Sequence, residues 1–422
     1  MKKLLYTIAL LLVTLGMQAQ TENANRMILH DKEGKTTVFD LTKVDFMEFD
    51  EVGAVELTLA VKEGSVTVDG FTVTLEQGAG CASWQLALRQ GDETMKEEAN
   101  ATSEMTFTEL SPATTYTVAA TPLDMYGIAG ETKTLNVTTL SQPKVGDYYY
   151  SDGTWSDGGL VSINPDGTGA VWAAEKPAPV EGKAVIGIVC ITDPGRIAPE
   201  DKAAGFTNGY VIGTKNIQDP GKSNFSQYPE SVWYMGQYAK TEAIKVTKIG
   251  KSCYENLNGR EETTKTLEAQ DEQYLNEDVP LFYYGTAPQY PLAAPEGTSG
   301  WFIPSVGQVW SCIANFCSGE VAAYLAENTT LAYDFTAYLS KTVGTCPLDD
   351  FMKVFAKVPD ADSMSIADGG SNGKQYVSLA TSSRYDSESR VIFILGMNGY
   401  GLIEGMCGWF NEESHGRPFL AF

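Results

Sequence analysis

The sequence predicts a mainly β, multidomain chain: a β-sandwich followed by a larger α+β unit. Three observations carry that expectation. Strand-like runs of alternating apolar and polar residues recur at short spacing between residues 53 and 141. The 422 residues exceed what one hydrophobic core supports, because single cores stop growing beyond roughly 250–300 residues. Residues 143–422 carry distinctive pieces such as "AVIGIVCIT" beside helical spacing in "VGQVWSCIANF".

Residues 1–19, "MKKLLYTIALLLVTLGMQA", have the form of a secretory signal peptide. Lys2 and Lys3 supply the positive start, Leu4 to Leu15 the apolar stretch, and the segment closes on small residues. The apolar stretch is short for a membrane span. No cysteine stands at the cleavage end, which argues against a lipoprotein anchor. The expectation is cleavage after Ala19, export to the cell surface or medium, and no membrane insertion of the mature chain.

Residues 20–52 predict a short β lead-in. "RMILHD" and "TTVFDL" alternate around the turn "KEGK", a hairpin pattern, and "VDFMEF" reads as a further strand. Lys32-Glu33-Gly34 and Val44 to Phe49 resemble a lead-in at the front of many exported proteins of Bacteroidota-type bacteria. His30 falls in the first strand and reads as a strand residue.

Residues 53–141 carry the runs "VELTLAVK", "FTVTLEQ", "SWQLALRQ", "EMTFTEL", "TYTVAATPLD" and "TLNVTTL". Leu110, Pro112, Thr114 and Tyr116 match an L-x-P-x-T-x-Y pattern, and here the chain resembles fibronectin type III domains. The resemblance implies that Tyr116 is a tyrosine corner whose hydroxyl ties back to upstream backbone. Tyr116, Val118 and Ala120 then alternate as an inward-facing row, and Trp84 reads as core. No integrin-type RGD is present.

"SQPKVGD" reads as a linker into residues 143–422. Val306, Val309, Trp310, Ile313 and Phe316 make one apolar helix face, with Ser305 as N-cap behind Pro304. Leu348, Phe351, Met352 and Phe355 predict a second helix. The pieces "NGREETTKT", Gly300 to Ser305 ("GWFIPS"), Thr381-Ser382-Ser383-Arg384-Tyr385 and Arg417 to Phe422 ("RPFLAF") resemble a bacterial domain. That domain is the C-terminal domain of the Legionella collagen-like adhesin family, read as a C-type-lectin-like fold. The family's leading Trp before the "S-S" segment is missing here. The resemblance implies that the first and last strands pair, placing Phe419 to Phe422 beside "DYYYSDG".

Composition bounds the partners. The formal charge of −24 repels phosphate backbones and anionic surfaces, so nucleic acid is not expected as a partner. The seven cysteines are odd in number and follow no repeating spacing; they read as buried small apolar residues, with pairing left open. The two histidines, His30 and His415, are too far apart in sequence to suggest a Cys/His zinc site. "QPK" at 142–144 and "WFNE" at 409–412 do not reproduce the E-P-N or Q-P-D and W-N-D of calcium-dependent sugar sites. No metal or cofactor is therefore expected.

A catalytic triad would have to use His415, yet no G-x-S-x-G elbow accompanies it, and His415 reads as a surface residue of an acidic loop. The expectation is thus a non-catalytic binding or adhesion protein recognising an extracellular glycan or protein. Its ligand face, by the lectin-like resemblance, lies in loops near the late strands: Arg384, Tyr385, Asn398, Tyr400, Trp409, Asn411 and His415. Core roles for Tyr385, Tyr400 and Trp409 are the competing reading. The alternative functions are a structural subunit of a surface fibre or complex and, third, a carbohydrate- or peptide-active enzyme.

Overall fold

The computed structural model describes residues 26–30, 34–43, 53–99, 101–164, 169–220, 232–233, 240, 251–317, 319–329, 339–343, 347–364, 376–384, 389–396, 401–409 and 413–422. The expected signal segment 1–19 and the expected strand at 44–49 lie outside them. The lead-in is a two-stranded antiparallel hairpin, β1 (Arg26–His30) and β2 (Thr36–Asp40), in register from Arg26↔Asp40 to His30↔Thr36. His30 is a strand residue, its Nδ1 2.8 Å from the Thr36 hydroxyl.

Seven strands follow: β3 (Leu57–Val61), β4 (Phe71–Gln77), β5 (Ser83–Gln90), β6 (Glu93–Ala99), β7 (Glu104–Phe107), β8 (Thr115–Leu123) and β9 (Lys133–Thr138). They form two sheets, β3-β4-β7 and β6-β5-β8-β9. Their inner faces meet in one core of Leu57, Phe71, Val73, Leu86, Leu88, Tyr116, Val118 and others. Tyr116, Val118 and Ala120 are all fully buried, so the alternation on β8 points inward as the pattern requires. The Tyr116 hydroxyl accepts from the Ser111 N–H at 2.9 Å, closing a tyrosine corner five residues upstream. Trp84 is half-buried and packs against this core from its margin.

The rest of the chain is built on a six-stranded antiparallel sheet. Its strands are β10 (Tyr148–Tyr150), β11 (Trp155–Ser156), β14 (Val185–Ile191), β15 (Tyr210–Gly213), β17 (Trp301–Phe302) and β23 (Phe419–Ala421), in the order β11-β10-β14-β15-β23-β17. Between them in sequence lie the hairpin β12 (Leu160–Asn164)–β13 (Gly169–Trp172) and β16 (Val232–Trp233). A second sheet, in the order β18-β21-β20-β19, holds β18 (Leu339–Val343), β19 (Tyr376–Arg384), β20 (Ser389–Gly396) and β21 (Gly401–Trp409). β22 (Glu413–Ser414) pairs with β16.

The central sheet is buried on both faces, which explains why its strands read as continuous apolar runs although they are antiparallel. One face carries Tyr148, Ile188, Cys190, Tyr210, Ile212, Phe302, Phe419 and Ala421 into one core. The other carries Tyr149, Val189, Val211, Trp301, Leu420 and Phe422 into a second. The first core is roofed by the helix Val306–Phe316 and its neighbours. The longer helices are α1 (Gly259–Ala269), α2 (Val306–Phe316), α3 (Gly319–Glu327) and α4 (Pro347–Lys353). Ser305 is the N-cap of α2, and its N–H donates to the Gln308 side chain at 2.8 Å. The predicted apolar face of α2 is buried throughout. Among the described residues no helix is long and apolar enough to cross a membrane.

One expectation is corrected. The closing strand β23 lies between β15 and β17, not beside "DYYYSDG", whose strand β10 pairs with β11 and β14. The two ends of this unit still meet, but through side chains: the rings of Tyr149 and Phe422 are 4.9 Å apart. β14 and β15 lie between them in the sheet, each pairing its backbone on both edges.

Candidate functional site

The sheet β18–β21 decides which expected site residues are neighbours. Arg384 ends β19 and stands opposite Arg390 on β20; Trp409 ends β21 and stands opposite Ser389. These two positions therefore share one end of the sheet, and Arg384 is half-buried there. Tyr385 and Asn411, which follow these strand ends, lie outside the described residues. Asn398 and Tyr400 do too, but the strand ends that flank them, Gly396 and Gly401, are at the opposite end of β20 and β21. The seven residue steps of β20 span roughly 24 Å between those strand ends.

His415 belongs to neither end. It bridges Leu379 in the middle of β19, and its carbonyl accepts from the Ala380 N–H at 2.8 Å. It is 3% exposed. The surface-loop reading, and with it a place on the rim of a binding face, is thereby corrected. The segment "SHGRP" is drawn inward because the strand that follows it is central, and neither a base nor a ligand contact is offered to solvent.

The densest polar cluster among the described residues is buried. The Glu262 carboxylate on α1 accepts from the Ser382 hydroxyl at 2.5 Å, the Asn256 amide at 2.8 Å and the Ser383 hydroxyl at 3.2 Å. Ser383 Oγ in turn accepts from the Val306 N–H at 3.0 Å, the first turn of α2. The Ser305 hydroxyl donates to the Asn256 carbonyl at 2.7 Å, and Thr263 Oγ1 accepts from the Ile303 N–H at 3.0 Å. Burial pushes the Glu262 carboxyl above its ordinary range, against the hydrogen bonds from Ser382, Asn256 and Ser383 that pull it down. The serines beside it are fully buried. Among the described residues no histidine is hydrogen-bonded to this node. Its chemistry is cohesion: it ties α1, α2 and β19 together.

A second node surrounds Arg417. Its guanidinium donates to the Asn216 side-chain oxygen at 2.9 Å and to the Asp362 carbonyl, and stacks 4.1 Å from the Phe355 ring centroid. A third joins Asp201, which accepts from the Tyr210 hydroxyl at 2.6 Å and from Arg260. Three separated sequence pieces, "NGREETTKT", "GWFIPS" and "TSSR", thus converge on one hydrogen-bonded node, while Arg417 of "RPFLAF" anchors the chain end.

Two surface features stand outside the expected site. A concavity of about 460 Å3 lies on the outer face of β5, β6, β8 and β9, lined by Gln85, Ala87, Arg89, Glu97, Thr121 and Thr134 among others. No aromatic side chain lines it. The β8–β9 loop presents Met125, Tyr126 and Ile128 to solvent, the first two more than 70% exposed. The Asp124 carboxylate holds that loop, accepting from the N–H groups of Tyr126 and Ile128 at 2.8 Å each. Its sequence signal is apolar residues inside an Asp-x-x-Gly turn, in "DMYGIAG".

The sequence matches no protein family and no curated protein. Solved structures similar to part of it include the fn3 domain of the human collagen alpha-1(XX) chain, at 18% identity and a TM-score of 0.20. That match covers 22% of this chain and 94% of that one. A human fourth FNIII domain matches at 19% identity and a TM-score of 0.19, over 23% of this chain and 88% of that one. The Family 28 exopolygalacturonase of Yersinia enterocolitica matches at 11% identity and a TM-score of 0.18, over 22% of this chain and 21% of that one. TM-scores this low carry no further argument.

Proposed function

We propose that this is an exported, non-catalytic surface protein that binds an extracellular glycan or protein. In this reading residues 143–422 form a C-type-lectin-like binding domain and the sandwich is its spacer. The observation that carries it is the use made of the reactive side chains. Glu262, Ser382, Ser383, His415, Asp201 and Arg417 are all buried, and those whose bonds are described above hold elements together. Recognition is then left to the surface, where the end of the sheet with Arg384 and Trp409 is the first candidate. The pinned Met125–Ile128 tip is a second contact surface, because a pre-ordered apolar loop loses little entropy on docking.

The test is a glycan array and a panel of extracellular matrix proteins probed with residues 20–422. Reproducible calcium-independent binding is expected. Arg384→Ala should weaken it by about tenfold, roughly 1.4 kcal/mol, the size of an interface contact. Turnover of any bound glycan or peptide would overturn the non-catalytic reading.

The structural-subunit reading has its own support. The lead-in hairpin leaves Ile28, Leu29, Val38 and Phe39 at least 40% exposed, on both of its faces. An isolated two-stranded hairpin is marginally stable in water, and one apolar on both faces suits burial in an assembly. Concentration-dependent oligomers that vanish when residues 20–43 are removed, with no ligand on the array, would favour that reading over binding.

A further inference from the structure

We propose that Cys190 and Cys312 are a disulfide-forming pair that clamps the central strand β14 to helix α2. Cys190 lies on the face of β14 that α2 covers, in the same core as Ile188. Cys312 lies in that same core, and burial, with Cys190 as a close neighbour, raises its thiol above the ordinary range. One turn further along α2, the Asn315 amide donates to the Cys190 carbonyl at 2.8 Å, so this side of the helix faces that residue. The Cys190 thiol itself donates to the Tyr210 carbonyl at 3.3 Å, which fixes its direction within the core. Cys317, the nearest other cysteine in sequence, sits five residues beyond Cys312 and therefore on a different side of the helix axis.

The burial decides when the bond forms. Both residues are at most 1% exposed, and a well-packed core has no room for a mixed disulfide. Oxidation therefore belongs to the opened or folding chain. The Cys312 thiol loses its proton and attacks a small-molecule disulfide of the glutathione type, releasing one thiol. The Cys190 thiolate then attacks the sulfur of Cys312 in the mixed disulfide, releasing the second. Two protein thiols and one small disulfide become one protein disulfide and two small thiols. Once closed, the core shields the bond from reductants, so the redox state set at folding persists. Its occupancy in the cell rests on the export reading, because cytosolic thiols stay reduced; the capacity to form it does not.

The test uses the full chain, unfolded and reduced, then refolded in a reduced/oxidised glutathione buffer. Free thiols are trapped with an alkylating agent after denaturation. Digestion with trypsin and chymotrypsin cuts between Cys312 and Cys317 at Phe316, so the two are read separately. The expected result is two protected thiols, a linked peptide pair containing Cys190 and Cys312, and a melting temperature for the C-terminal unit raised on the order of 8 °C over the reduced form. Seven alkylated cysteines, or a link between any other pair, would overturn the proposal. The wild-type linkage map decides this without a variant; Cys312→Ala should also abolish the shift. A link formed in the refolding buffer but absent from protein recovered from its own cells would support the pair and count against export.

Discussion

Removing Pro418–Phe422 is expected to unfold the C-terminal unit and leave the sandwich intact. β23 is an interior strand, so its loss opens the sheet between β15 and β17. Phe419, Leu420 and Phe422 are each no more than 6% exposed. Truncating a buried Leu costs about 2–5 kcal/mol and a buried Phe about 3–5 kcal/mol, so the three together remove roughly 8–15 kcal/mol. Five hydrogen bonds outside the regular ladder go with them. Asn208, Ser299 and Gly213 donate from their N–H groups to the carbonyls of Phe422, Ala421 and Pro418, the Phe422 N–H donates to Gly209, and the Ala421 N–H donates to the Ser299 hydroxyl. At about 1 kcal/mol net each they add roughly 5 kcal/mol. The sum matches or exceeds the 5–15 kcal/mol that holds a typical domain together. Differential scanning calorimetry of the full chain and of residues 1–417 should therefore show the larger transition lost and the sandwich transition kept. Leu420→Ala supplies the graded control, with partial destabilisation of the same transition. If the truncated chain kept both transitions within about 2 °C, the central role of β23 would be refuted.

Two further perturbations separate the units. Tyr116→Phe removes the partner of the Ser111 N–H and should destabilise only the sandwich, by about 1–3 kcal/mol, read from its urea midpoint; an effect on the C-terminal transition would contradict a sandwich core of its own. Asp147 opens the first strand of the C-terminal unit, and burial pushes its carboxyl up to about 6, against the Lys144 N–H that donates to it at 2.8 Å. The folded value lies above the unfolded value of about 4, so the native state keeps a proton the unfolded chain has released. Its contribution is full below about pH 4 and is lost as pH rises through 6. Asp147→Asn should flatten that slope and raise the C-terminal urea midpoint at pH 7 relative to pH 4; an unchanged slope would assign the proton elsewhere.

Local pattern was legible wherever a side chain's role depends on its near neighbours in sequence. The period-two row of β8, the apolar face of α2 and its Ser305 cap are all set within a few residues. The tyrosine corner is set by a five-residue reach. His415 was misread for the complementary reason. Its neighbours Glu412, Glu413, Ser414 and Gly416 describe a polar loop, yet Leu379 and Ala380, some thirty-five residues upstream, take it into the interior. Sequence order likewise does not say which end of an antiparallel strand a loop occupies relative to others, so the expected ligand residues could not be grouped from the sequence alone.

What the sequence alone determined was the set of periodicities: a sandwich with alternating inner rows, a helix with one apolar face at Val306 to Phe316, and an acidic, turn-rich composition. What only the tertiary structure decided was the partners. It put the closing strand between β15 and β17, brought Glu262 to Ser382 and Ser383 across 120 residues of chain, and placed Cys190 against Cys312. Periodicity is a property of neighbouring residues and survives in any context. Partnership depends on which long-range contacts repay the entropy of closing large loops, and that balance is struck only when all elements pack at once.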